Sequence, residues 1–233
     1  MEISKNYKVL EKIGEGYFSK VYLCENLINK NKYAIKFCLK NEYIKYTYDE
    51  IRFLKEIQHP NIVQMKEYFE DDNYIYIVLE YIKNTQLDNN YNEYIITQII
   101  NALEYIHSHG YIHGDLNINN ILIDENNQIK IIDFGLSRLE NEKESKILGD
   151  IQFCSPESIK YREITKKSDL WSLGIILYKF YSGKYPFEGS SIKTLSPRIL
   201  NKEIDFNIFK DAKQKKQVKS LLNKNPTKRM ILY

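Results

Sequence analysis

The sequence predicts an α+β protein, with a small β-rich amino-terminal part and a larger helical part after it. Two observations carry this. Up to about residue 80 the apolar residues fall in short runs rich in Val, Ile, Tyr and Phe, broken by Gly, Asn and Lys turns. From residue 84 onward the apolar spacing becomes helical.

Taken in order, Tyr7–Gly14, Lys20–Asn26 and Tyr33–Cys38 read as strands. Asn41 is placed to cap a helix on which Ile44, Tyr48, Ile51 and Leu54 recur at helical spacing. Thr47 and Glu50 offer a competing capping box, but a cap at Asn41 leaves Glu50 mid-helix, one turn from Leu54. Strands near Val63–Phe69 and Tyr74–Glu80 flank the polar turn Glu70-Asp71-Asp72-Asn73, and a linker is expected at residues 81–84. Ile95, Ile96, Ile99, Ile100, Leu103 and Ile106 then share one helix face, with Gly110 just past its end. Two short strands at residues 121–123 and 129–132 precede a helix from Asp169 to Tyr181, closed by Gly183.

Composition excludes several classes. The chain has 233 residues, of which 43% are hydrophobic and 28% charged, enough to bury a substantial core. Cys24, Cys38 and Cys154 are odd in number and lack CxxC spacing, which suits a reduced compartment, cytoplasmic or nuclear. The amino terminus has no signal-peptide core, no apolar run approaches the roughly 18 residues of a membrane span, and the carboxyl terminus carries no lipidation box. His59, His107, His109 and His113 have no acid at ligand spacing, against a metal site built on histidine. The net charge of +3 is uneven, because Lys193 to Arg229 holds eleven Lys/Arg against three Asp/Glu. That stretch reads as a lysine-rich solvated face or as a site for an acidic partner. The expectation is a monomer that binds neither membrane nor nucleic acid.

Chemistry-bearing residues fall into ordered motifs. Gly14-Glu15-Gly16-Tyr17-Phe18-Ser19-Lys20-Val21 lies between two strands, where glycine lets a backbone approach phosphates. Alone, a hairpin turn explains it equally well. Tyr33-Ala34-Ile35-Lys36 ends a hydrophobic strand on a lysine. Then come His113-Gly114-Asp115-Leu116-Asn117-Ile118-Asn119-Asn120, Asp133-Phe134-Gly135, Ser155-Pro156-Glu157 and Asp169-Leu170-Trp171-Ser172-Leu173-Gly174.

In this order the motifs resemble the protein kinase signature set. The resemblance runs from about Tyr7 to Asn225-Pro226-Thr227-Lys228-Arg229. It implies a two-lobed protein-kinase-like fold in one domain over residues 1–233, with an N-lobe to about 80, a hinge at 80–83 and a C-lobe from 84. ATP and magnesium are the implied cofactors and a protein Ser/Thr hydroxyl the acceptor, as in the calcium/calmodulin-dependent and Aurora-like kinases it resembles. Lys36 matches the lysine that holds the ATP phosphates and Glu50 the helix acid that orients it. Asp115 matches the catalytic base, and Asn120 and Asp133 the magnesium ligands. Ile13, Val21, Ala34 and Leu122 would sandwich the adenine, with Leu79 as gatekeeper and Glu80 to Ile82 as hinge. Glu157 and Arg229 match a buried ion pair, and Asp169 the acid that braces the catalytic loop. His113, Phe134, Leu54 and Met65 match the family's hydrophobic spine.

Several positions depart from the family. Ser19 stands for the third loop glycine, Gly114 for the catalytic-loop arginine, Asn117 for the loop lysine and Asp150 for a threonine. Asn119 stands for a substrate-reading Glu, and Gln86 where the ribose is held. Asp150 is expected close to Asp115. A scaffold of the same fold that binds without transferring phosphate is the competing expectation.

Overall fold

The structure is a computed structural model describing residues 2–3, 6–16, 19–83, 92–140 and 149–230. The expectations for Tyr17, Phe18 and Gln86 lie outside these residues. The chain divides into two units, Met1–Thr85 with Leu122–Gly135, and Gln86–Ile121 with Leu136–Tyr233.

In the first unit, short runs rich in β-branched and aromatic residues produce a six-stranded sheet. The strands are β1 (Glu2–Ile3), β2 (Tyr7–Glu15), β3 (Ser19–Asn26), β4 (Lys32–Leu39), β5 (Met65–Glu70) and β6 (Tyr74–Glu80). They lie in the order β1-β2-β3-β4-β6-β5, every pair antiparallel. One face is an aromatic core in which Tyr7, Phe37, Phe69 and Tyr76 pack around Cys24, Ile35 and Val78. The other face carries Val21, Ala34, Lys36 and Leu79: Val21 pairs with Lys36 and Ala34 with Leu79, and direct antiparallel partners share a face.

Helix α1 (Ile44–Glu56) buries Thr47, Glu50, Ile51, Phe53 and Leu54. Its cap differs from the sequence expectation. The Asn41 side chain accepts from the Tyr43 N–H at 2.9 Å, a turn upstream of the helix, and Tyr43 occupies the N-cap without a side-chain bond. Glu50 nonetheless sits mid-helix, as that reading required. Val63, expected in a strand, instead donates its N–H to Ile131 at 3.0 Å, while Ile131 donates to Asn61 at 2.8 Å. The segment before β5 therefore pairs with the strand Ile129–Ile131.

The second unit is helical. Its helices are α2 (Glu93–Ser108), α3 (Pro156–Tyr161), α4 (Lys166–Ser182), α5 (Ile192–Asn201) and α6 (Ala212–Leu221). Asn92 caps α2 by accepting from Ile95 N–H at 3.0 Å, and Ile95, Ile96, Ile99, Ile100, Leu103 and Ile106 are all buried. Helix α4 starts earlier than the apolar pattern suggests. Thr165 and Ser168 form a capping box, with Thr165 N–H donating to Ser168 Oγ at 3.1 Å. It ends at Gly183 as expected, and it is buried nearly all round. A Cβ on Gly174 would lie 2.7 Å from Leu222 Cδ2, so only glycine lets α4 meet the chain after α6 this closely. A two-strand ribbon pairs Tyr111–Ile112 with Arg138–Leu139.

Candidate functional site

Each unit carries one cluster of the residues singled out in the sequence. In the sheet unit, Lys36 is 7% and Glu50 2% exposed, and the ammonium meets both carboxylate oxygens, at 2.9 and 2.7 Å. Lys36 Nζ also donates to Asp133 Oδ1 at 2.7 Å. Burial would favour the neutral amine, but the Asp133 and Glu50 carboxylates together hold Lys36 charged, far above the usual lysine range. Burial pushes the Glu50 carboxyl up against the pull of Lys36. Asp133 adopts a left-handed backbone, φ 60°, a strained conformation for a residue with a side chain. Gly135, the third motif residue, donates its N–H to Asp133 Oδ1 at 3.4 Å.

The remaining sheet-unit residues are placed by the same register. Gly14, Val21 and Lys36 form one cross-strand row, and Ala34 and Leu79 the next. Ile13 is 43% exposed and Leu79 8%. Gly16 N–H donates to Ser19 O at 2.9 Å, and Glu15 pairs with Lys20 across the same hairpin. The Glu80 carboxylate is held by Lys130 Nζ at 2.6 Å and Gln64 N–H at 2.8 Å, which ties this strand end to the segment before β5. Leu122 and Ile82 are half-buried. Phe134 stacks on Phe53 at 4.2 Å between ring centroids, a partner absent from the sequence reading.

In the helical unit, Asp169 is 1% exposed and braces the loop before Asp115. Its Oδ2 accepts from His113 N–H at 2.9 Å and its Oδ1 from Gly114 N–H at 3.0 Å. His107 Nε2 lies 2.8 Å from Oδ2, a partner the sequence gave no means of seeing. Burial alone would raise the Asp169 carboxyl, but His107 and these N–H donors hold it below the ordinary aspartate value. Gly114 takes φ 80°, and a Cβ there would lie 2.7 Å from Leu136 O. The arginine of the family pattern therefore does not fit this backbone.

Asp115 is gripped from several sides. Its carbonyl accepts from Asn117 Nδ2 at 3.0 Å and Asn120 Nδ2 at 2.9 Å. Its Oδ2 lies 3.4 Å from Asn120 Nδ2 and its Oδ1 accepts from Asp150 N–H at 3.1 Å. Asp150 thus reaches Asp115 through its main chain, while its own Oδ1 accepts from Gln152 N–H at 2.9 Å. The expected proximity is real, but the observed contact is a hydrogen bond and not one carboxylate against another. Gly149, at φ 91°, packs on the same carboxylate: a Cβ would come within 2.6 Å of Asp115 Oδ1.

Glu157 and Arg229 form the expected buried pair, at 2.5 and 2.7 Å. Lysines of the basic stretch are partly used internally: Lys213 meets Glu93 at 2.8 Å, and Lys224 donates to Lys202 O at 2.8 Å. All three cysteines are free thiols, and burial pushes Cys24 and Cys38 up to about 11. Among the described residues no helix is long and apolar enough to cross a membrane, and no group of three or more His, Cys, Asp or Glu could hold a metal.

An antiparallel sheet bearing a lysine–glutamate pair, with a helical unit bearing a braced aspartate loop, defines an α+β protein of the kinase fold class. The protein kinase domain family matches residues 7–232, and the chain belongs to that family. It is 31% identical to the serine/threonine-protein kinase PLK4 of Xenopus laevis over 99% of this chain and 26% of the relative. It is 30% identical to an Aurora kinase of Eremothecium gossypii over 97% of this chain and 66% of the relative. With human 3-phosphoinositide-dependent protein kinase 1 it shares 32% over 97% of this chain and 44% of the relative. The chain thus spans about a quarter of the PLK4 relative's length.

Proposed function

We propose that this chain transfers the γ-phosphoryl group of ATP to Ser/Thr hydroxyls of a protein substrate. The observation that carries the reading is the buried Lys36–Glu50 pair, in which a bidentate carboxylate fixes an ammonium on the same sheet face as Val21 and Ala34. An unpaired buried ammonium would shed its proton; this one is kept charged, as a ligand for phosphate must be.

In this reading Lys36 holds the ATP phosphates and Glu50 orients it. Ile13, Val21, Ala34 and Leu122 contact the adenine beside Leu79 and the Glu80–Ile82 strand end, and the loop from Gly14 to Lys20 lies over the phosphates. Asp115 accepts the hydroxyl proton. The donor set fits magnesium, which favours hard oxygens and few carboxylates. Asn120 commits its Nδ2 to Asp115, which leaves the amide oxygen as the atom for a cation, and Asp133 supplies a carboxylate. When bound, magnesium would supply neutralisation of charge on the transferring phosphoryl group. The PLK4 relative is named a serine/threonine-protein kinase, which supports that acceptor class. Phosphoamino-acid analysis of protein labelled by this chain tests it: phosphoserine or phosphothreonine is expected, and phosphotyrosine alone would overturn it.

A scaffold that binds nucleotide without transfer is favoured by one observation. Asn117 brings no positive charge to the place where the resemblance expects a lysine.

A further inference from the structure

We infer that Asn117 is a positioning residue for phosphoryl transfer, fixing Asp115 and Asn120 through its side-chain amide in place of the charge a lysine would bring. This rests on the kinase reading above. Asn117 is 5% exposed and has an extended backbone, φ −150° and ψ 170°, at the N-cap of the 3-10 turn Ile118–Asn120. Its Oδ1 accepts from Asn119 N–H at 2.9 Å and Asn120 N–H at 3.1 Å. Its Nδ2 donates to the Asp115 carbonyl at 3.0 Å, beside the Asn120 Nδ2 donor at 2.9 Å. One amide therefore ties the main chain of the proposed base to the turn that presents the proposed metal ligand.

Both halves of the amide are needed. A lysine side chain has three donors and no acceptor, so it cannot cap the turn; an aspartate can cap it but cannot donate to the carbonyl. Loss of the cap frees the turn that carries Asn120. Loss of the donor loosens the Asp115 main chain while leaving the turn in place. Restoring the family's lysine would consequently weaken this loop.

The experiment compares the full chain with Asn117→Ala, Asn117→Asp and Asn117→Lys, each with its Tm recorded. Three quantities are read: amide hydrogen exchange of residues 119 and 120 without ligand, the magnesium concentration giving half of the ATP-induced rise in Tm, and kcat. Exchange should quicken roughly tenfold in the alanine and lysine proteins and stay slow in the aspartate protein. The magnesium half-point should rise in the first two and stay near wild type in the third. All three should lose kcat, by about tenfold or more. Asn117→Ser, with a shorter acceptor, replaces the alanine protein if that fails to fold. A lysine protein matching or exceeding the wild-type kcat overturns the inference, as do unchanged exchange and magnesium half-points in the alanine protein. A wild-type protein that binds ATP without transferring phosphate overturns the kinase reading alone, since exchange and the half-point still read Asn117.

Discussion

Replacing Arg229 with methionine tests how the second unit is held together. The arginine is 1% exposed. Its two terminal nitrogens grip Glu157 at 2.5 and 2.7 Å, Nε donates to Asn223 O at 2.7 Å and Nη1 donates to Lys167 O at 2.9 Å. The guanidinium also lies 5.0 Å from the centre of the buried Trp171 ring. Arg229→Met keeps most of the volume and removes every donor, leaving Glu157 as a buried, unpaired acid. Removing one partner of a buried pair costs about 3–5 kcal/mol. At ~2–4 °C per kcal/mol for a chain of this size, Tm falls by roughly 6–20 °C. Calorimetry measures this directly. The double variant Glu157→Met/Arg229→Met, with no buried charge left over, should recover part of the loss. Burial alone would raise Glu157, but Arg229 holds it below the ordinary glutamate value. The pair's contribution is therefore complete above the unfolded value of about 4.3 and is lost as pH falls through the lower folded value. The difference in Tm between wild type and Arg229→Met should shrink over that acid range. A single variant within about 2 °C of wild type at neutral pH, or a double variant equal to the sum of the singles, would refute the argument.

Three further perturbations have defined outcomes. Lys36→Met leaves Glu50 and Asp133 without their shared cation, and phosphoryl transfer should fall by roughly a hundredfold or more in a folded protein; a loss under about threefold contradicts the role given to it. Gly149→Ala places a Cβ 2.6 Å from Asp115 Oδ1 at φ 91°, so initial rates should drop at least about tenfold and Tm should fall with the added backbone strain, and unchanged rates would show that Asp115 has room to move. His107→Ala takes a neighbour from the buried Asp169 carboxylate and should cost about 1–3 kcal/mol in urea unfolding, whereas no change would mean that the two N–H donors suffice.

Local patterns were legible in the sequence; long-range partners were not. Short β-rich runs broken by turn residues located β2, β3, β4 and β6, and the helical spacing from Ile95 to Ile106 located α2, because each depends on residues a few positions apart. The true strand at Met65 depends on Val63 being drawn to Ile131, 68 positions along the chain, which no local pattern records. The start of α4 is encoded locally in Thr165 and Ser168, a capping box that lies ahead of the apolar run. Among candidate site residues, the Lys36–Glu50 and Glu157–Arg229 contacts are the ones the family resemblance implies. The roles of His107, Phe53 and the Asp150 N–H do not, since their residue types alone are compatible with many neighbours. Asn117 looked like a missing charge in the sequence, and in the structure its amide makes three hydrogen bonds within the loop.

The most direct test of the proposed activity is transfer of label from γ-labelled ATP to a protein acceptor in the presence of magnesium, comparing wild type with Asp115→Asn. Asparagine keeps the size of Asp115 and its main-chain bonds but cannot take up a proton at neutral pH. The account predicts steady transfer by the wild-type chain and a rate lower by about a hundredfold or more in the variant, with Tm nearly unchanged. Equal rates in the two proteins, or no transfer by either across a broad set of Ser/Thr acceptors, would contradict it.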